Sequence, residues 1–344
     1  MNRFALAAAA TIAATAAAQA GGIDRSGQPI GIIFEEGTHA ELSFGAISPD
    51  VTSTFVGGNT SDATRSYLQV GMGYKEQLTD ALSYAITYDQ PYGADIGYVD
   101  GPFAGGFATI DSHALTVLGR YQFGNGFSAH GGLRIQKLEG ALASIGQLNA
   151  ESDWAAGYVI GGAYERPDIA LRVALTYSSS ITNDFTGTES SGVVGLNAPT
   201  AFSVDLPESV NLDFQTGVAP KTLVFGSIRW VGWEGVNLTT ATGTYVNFDE
   251  DTITYNIGVG RQLTENFAAS ISVGYEGGDG TGTTLGPTSG FRSVALGGSY
   301  TMDNVEISGG IRYIDIGDAT ASAANVPFQD NDAIAVGMKI AYKF

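Results

Sequence analysis

Three histidines, His39, His113 and His130, are the chain's whole stock of imidazole, and cysteine is absent. No thiolate nucleophile, thiolate metal site or disulfide can therefore form. Asp111-Ser112-His113 sets the three residue types of a hydrolytic relay side by side. In an extended strand Ser112 points away from Asp111 and His113, so a membrane-embedded hydrolase has no relay to run on. The run Gly277–Gly282 lacks the lysine of a phosphate-binding loop. Asp249-Glu250-Asp251 and the pair Asp330 and Asp332 have the donors for a divalent ion, but read more simply as solvated loop charge. No catalytic residue, metal site or cofactor is expected. What remains is binding chemistry. Arg120, Arg134, Arg172, Arg312 and Lys339 fall on the polar positions of alternating segments. A ligand carrying a carboxylate needs such a cation, and Arg134 is the preferred one because Gln136 shares its face.

Those side chains are presented by strands. Fourteen segments alternate with period two, and no helical segment exceeds about ten residues. They cover roughly 39–49, 66–76, 80–89, 111–122, 127–138, 153–164, 169–181, 208–216, 221–232, 251–262, 267–276, 291–300, 305–315 and 332–344. In the last, Ile334, Val336, Met338, Ile340, Tyr342 and Phe344 alternate with Ala335, Gly337, Lys339, Ala341 and Lys343. A strand with one wholly apolar face ending on an aromatic residue resembles the strand that outer-membrane barrels present to their assembly machinery. Connections alternate as regularly, tight links such as Phe123–Gly126 and Thr301–Asn304 taking turns with long ones such as 90–110, 139–152, 182–207 and 233–250. Segregation of long loops to one end is expected of a closed transmembrane barrel, in which every backbone group is satisfied within the sheet. Aromatic residues near strand ends, among them Tyr121, Phe127, Tyr164, Phe267, Tyr275 and Tyr300, suit two interfacial girdles. The expected fold is all-β: a 14-stranded antiparallel transmembrane β-barrel over 39–344.

Composition sets the class. Arg3, the apolar run Phe4–Ala18 and the small-x-small triplet Ala18-Gln19-Ala20 read as an export signal over residues 1–20. No later stretch approaches the ~20 apolar residues of a membrane helix. Hydrophobic residues make up 44%, charged residues only 15%, and glycines number 48, which suits neither a disordered chain nor an ordinary cytosolic enzyme. The formal charge is −19, and loss of Arg3 with the signal makes it −20, which argues against nucleic acid as a partner.

Particular stretches resemble the FadL/TodX-type transporters of long-chain fatty acids and other hydrophobic compounds in Gram-negative outer membranes. Gly22-Ile23-Asp24-Arg25-Ser26-Gly27-Gln28, ahead of Ile30, Ile32, Ile33 and Phe34, sits where that family has its hatch, the N-terminal segment that plugs the lumen. Ala40–Phe44 followed by Ser48-Pro49-Asp50-Val51, Pro91-Tyr92-Gly93 after the third strand, Asp205–Glu208, and Trp230-Val231-Gly232-Trp233 are similar to family stretches in the same order. The likeness runs from about residue 21 to the end. The chain departs from the pattern in its short hatch, 21–38, which lacks the Asn-Pro-Ala-type signature, and in a polar loop at 233–250.

The resemblance implies a path for a hydrophobic ligand. Leu142, Ile145 and Leu148 at spacing three suggest a short helical turn with one apolar stripe, and loop 182–207 carries Phe185, Val194, Leu196 and Phe202 with few charges. In the family these two loops form the external capture groove; the plain alternative is a lid whose loops pack on each other. Ile30, Ile32 and Phe34 would line a lumenal pocket, with Arg134 for a carboxylate, and Pro91, Tyr92 and Gly93 would gate a lateral exit into the membrane; an ordinary Pro-Gly turn is the alternative there. The expected function is uptake of hydrophobic molecules, long-chain fatty acids first, with outer-membrane lipid and lipopolysaccharide around a monomer. A polar-solute porin or structural barrel is the alternative.

Overall fold

The alternation of Asp332–Phe344 becomes an inside-out surface. Ile334, Val336, Met338, Ile340 and Tyr342 are 39–52% exposed on the outer face, while Ala333, Ala335 and Ala341 are buried on the inner one. Large apolar side chains pointing outward around an entire sheet are tolerated only against lipid. The computed structural model describes residues 23–55, 58–191 and 196–344. The expected signal, 1–20, lies outside them.

Fourteen antiparallel strands form the closed barrel: β1 (His39–Asp50), β2 (Tyr67–Gln77), β3 (Leu82–Asp89), β4 (Phe107–Gly124), β5 (Phe127–Ala143), β6 (Ala155–Arg166), β7 (Leu171–Ser178), β8 (Ser209–Ala219), β9 (Thr222–Val231), β10 (Thr252–Gln262), β11 (Phe267–Glu276), β12 (Phe291–Met302), β13 (Val305–Ile316) and β14 (Asn331–Lys343). Neighbours in sequence pair around the ring. β14 closes it on β1, from His39 opposite Lys343 to Asp50 opposite Asp332. The tight links are turns such as Asn125-Gly126, both at positive φ, 53° and 85°, which matches the twist of a two-residue hairpin. Phe267 and Tyr275, outward at the two ends of β11, lie about 27 Å apart along the strand, close to the span of an apolar band after tilt. Some inner contacts leave no room for a side chain: a Cβ on Gly132 of β5 would meet the Val117 carbonyl of β4 at 1.8 Å.

Two expected loops are strands. β5 continues to Ala143 and turns through Ser144–Gly146 into Gln147–Ser152, so Leu142 and Leu148 stand opposite each other. The spacing that suggested a helical turn is that of a hairpin pair flanking its turn. Region 182–207 is likewise a hairpin, Ile181–Ser191 with Leu196–Leu206, which pairs with Gln147–Ser152. The barrel sheet thus rises above the membrane as a four-stranded arm, because backbone pairing with a preformed edge outweighs weak local preferences.

The third strand is broken. After Asp89 it resumes as Gly93–Gly97, and both pieces pair with β4. The N-terminal segment packs against inward-facing side chains: Ile32, Ile33 and Phe34, in a short 3-10 turn, cluster with Ala85, Leu118, Val159, Ala163 and Ala174. The Phe34 ring lies beneath the Arg120 and Arg172 guanidiniums, 4.7 and 4.9 Å from its centroid.

Candidate ligand path through the barrel

A cavity of about 200 Å³ opens in the outer half of the lumen, under the long connections. Its apolar wall is built by Ile23 of the N-terminal segment, Ile47 of β1, Ile110 of β4, Leu142 of β5, and Val204 and Leu206 of the outer hairpin. Trp233 closes one side. Its ring meets Tyr92 edge-on at 5.9 Å and Phe248 at 4.7 Å. Asp249, Glu250, Asp251 and Asp279 stand at the rim. Asp251 accepts hydrogen bonds from Trp230 Nε1 and the Glu234 N–H, both at 3.0 Å, and among the described residues no group has a metal-binding arrangement.

Of the residues proposed from sequence, Leu142 lines this cavity, and Leu148 packs in the same cluster. Phe185 and Phe202 stack with ring centroids 5.1 Å apart, and Phe185 joins a second cluster with Tyr92, Leu206 and Trp233. Ile145 sits at a hairpin tip, 42% exposed. Leu196 pairs through its backbone with Ser191, and Val194 lies outside the described residues. Ile30, Ile32 and Phe34 are packed among the inner side chains of the barrel, away from the cavity. Val204, Leu206 and Ile23 were missed. The signal for the first two was the period-two run Phe202, Val204, Leu206 inside an expected loop.

Arg134 is inward and 3% exposed. Its Nε donates to Thr116 Oγ1 at 2.9 Å, and neither its Nη1 nor Gln136 Nε2 has a partner among the described residues. The shared face read from sequence is real, and it holds uncommitted donors. The hydroxyl of Tyr92, beside the strand break, accepts a hydrogen bond from Gln28 Nε2 at 2.9 Å, and the Tyr92 N–H donates to Ser112 Oγ at 2.8 Å. Ser112 is thereby engaged on one face while His113 Nδ1 meets the Tyr88 hydroxyl at 2.7 Å on the other, so no relay with Asp111 exists.

The outer hairpins are tied together by Glu189, which accepts hydrogen bonds from Thr240 and Tyr245. Burial alone would raise the Glu189 pKa, but hydrogen bonds from Thr240, Thr242 and Tyr245 hold it below the ordinary glutamate value. Burial and the Glu189 charge push the Tyr245 hydroxyl up to about 12.

Residues 141–344, more than half of the chain, match the family model described as outer membrane protein transport protein (OMPP1/FadL/TodX). The chain belongs to this family. Members of the OMPP1/FadL/TodX family are outer-membrane transport barrels rather than enzymes, which places this barrel in the outer membrane. The fold agrees with solved structures despite low identity. A Pseudomonas aeruginosa FadL homologue is 14% identical, with a TM-score of 0.76 over 97% of this chain and 98% of that one. The Pseudomonas putida toluene transporter TodX is 13% identical, with a TM-score of 0.68 over 97% and 98%. The Ralstonia pickettii toluene transporter TbuX is 11% identical, with a TM-score of 0.63 over 97% and 98%. No curated protein matches the sequence.

Proposed function

We propose that this barrel takes up long-chain fatty acids or closely similar hydrophobic molecules: capture among the outer hairpins, residence in the cavity, and lateral exit into the membrane at the third-strand break. The observation that carries the reading is the apolar cavity walled by Ile110, Leu142, Val204 and Leu206, in the outer half of a lumen further filled by Ile32, Ile33 and Phe34. A filled lumen suits a hydrophobic-compound carrier and argues against a polar-solute porin. In this reading the N-terminal segment serves as the hatch, and Arg134 with Gln136 offers the donors for a carboxylate.

A second reading, uptake of monoaromatic hydrocarbons, is favoured by the rings of Trp233 and Phe248 on the cavity wall, with Tyr92 packed edge-on against Trp233, and by cavity size. An apolar cavity of about 150 Å³ holds one benzene. Purified protein titrated with a fluorescent fatty acid, with toluene as competitor, separates the two. Saturable fatty-acid binding with little current in planar bilayers supports the first. Toluene binding without fatty-acid binding selects the second, and large steady conductance with no binding discards both.

A further inference from the structure

Between β2 and the third strand the barrel wall has a gap. The two pair from Met72 opposite Tyr88 to Gln77 opposite Ser83. They meet again higher up, where the Arg65 N–H donates to Asp95 O at 3.0 Å and the Gly97 N–H to Ala63 O at 2.8 Å. At the lower edge of the gap the Gln90 side-chain oxygen accepts the Val70 N–H at 2.8 Å, standing in for a backbone rung.

The centre of the gap is filled by the N-terminal segment. The Arg25 N–H donates to Pro91 O at 2.7 Å, the Gly93 N–H donates to Ile23 O at 2.9 Å, and Asp24 and Tyr92 stand opposite as an antiparallel bridge. Pro91, Gly93, Asp95 and Gly97 offer these groups along one edge, the edge that β2 serves above and below. Ile23–Arg25 therefore supplies the rungs that β2 does not.

The Arg25 side chain then joins the two banks. Its guanidinium lies 3.9 Å from the centroid of the Tyr67 ring on β2 and 2.7 Å from Asp95 Oδ2 on the third strand. It also occupies the place of a missing side chain: a Cβ on Gly93 would fall 2.4 Å from Arg25 Cζ.

We infer that Ile23–Arg25 is a removable stave of the barrel wall and that Arg25 is the residue that locks it. The inference rests on the lateral-exit reading. Opening breaks two backbone hydrogen bonds, two ion pairs and one cation–π contact together. Asp24 Oδ2 also accepts from Arg229 Nε on β9 at 2.6 Å, but of the two ion pairs only that of Arg25 ties the segment to the third strand itself. Pro91 has no N–H, so the bared edge leaves a single donor, Gly93, and the Pro91 acceptor to be satisfied.

The test uses the full barrel, which has no native cysteine. Asp24→Cys with Tyr92→Cys forms a disulfide across a close antiparallel pair. Uptake of a fluorescent long-chain fatty acid into proteoliposomes should fall at least tenfold when this variant is oxidised and recover with dithiothreitol. Equal uptake in the oxidised and reduced forms overturns the inference. Independently of any ligand, Arg25→Ala should speed hydrogen exchange of the Gly93 amide at least tenfold while the Val336 amide in β14 stays protected. Unchanged exchange at Gly93 also overturns it. Should the unmodified barrel take up no ligand at all, the transport reading fails, and the exchange measurement still decides the lock.

Discussion

The Glu189 carboxylate accepts a hydrogen bond from the Tyr245 hydroxyl at 3.2 Å, although the two residues stand on different outer hairpins. Glu189 is 1% exposed, and its hydrogen bonds hold its pKa below the ordinary value against the effect of burial. A lowered folded-state pKa means that the contact is complete at neutral pH and is lost as pH falls through that lowered value. Spin labels on Thr188→Cys and Thr239→Cys should give one narrow distance at neutral pH that broadens on acidification. Adding Glu189→Gln should broaden it already at neutral pH. A narrow distribution under all conditions would remove Glu189 as the tie.

Arg134 should matter to charged ligands alone. Its Nη1 has no partner among the described residues, and a hydrogen bond to an ionised group contributes about 1.5–3 kcal/mol. Arg134→Ala should weaken fatty-acid binding roughly tenfold or more while leaving toluene binding unchanged. Equal losses for both ligands would instead point to a damaged cavity.

How far these features could be read beforehand depends on whether their cause is local. The barrel strands were legible because the lipid imposes one rule everywhere: Ile334 and Val336 out, Ala333 and Ala335 in. Arg134 and Gln136 were legible for the same reason, since strand parity fixes which face they share. The arm was not. Leu142, Ile145 and Leu148 satisfy a helical spacing as well as a hairpin, and only the edge offered by β5 decides between them. Arg25 was equally hidden. Nothing in Gly22–Gln28 names Tyr67 or Asp95 as its partners, because a contact between residues 70 apart in sequence is set by closure of the ring.

Filling the cavity should abolish binding without unfolding the barrel. Val204 is buried and faces the roughly 200 Å³ space from the outer hairpin, so its enlargement adds volume there rather than in the strand ladder. Val204→Trp should cost at least tenfold in ligand affinity. The heat-modifiable gel shift of the folded barrel should persist. Retained affinity would show that the ligand sits elsewhere.

The outward face offers the sharpest contrast with a soluble protein. Val336 lies near the middle of β14, opposite Ala46 and Ile311, and is 52% exposed. In water, arginine at so exposed a site changes stability by about 0.5 kcal/mol or less. At the centre of a bilayer it costs about 2–4 kcal/mol. Val336→Arg, unfolded by urea in lipid vesicles, should show the larger loss, whereas Tyr342→Arg, near the end of the same face, should lose much less. The gradient is the diagnostic part, because burial in a protein core would not grade the penalty by distance from the strand's midpoint. A flat and small penalty at both sites would mean that this face does not meet hydrocarbon.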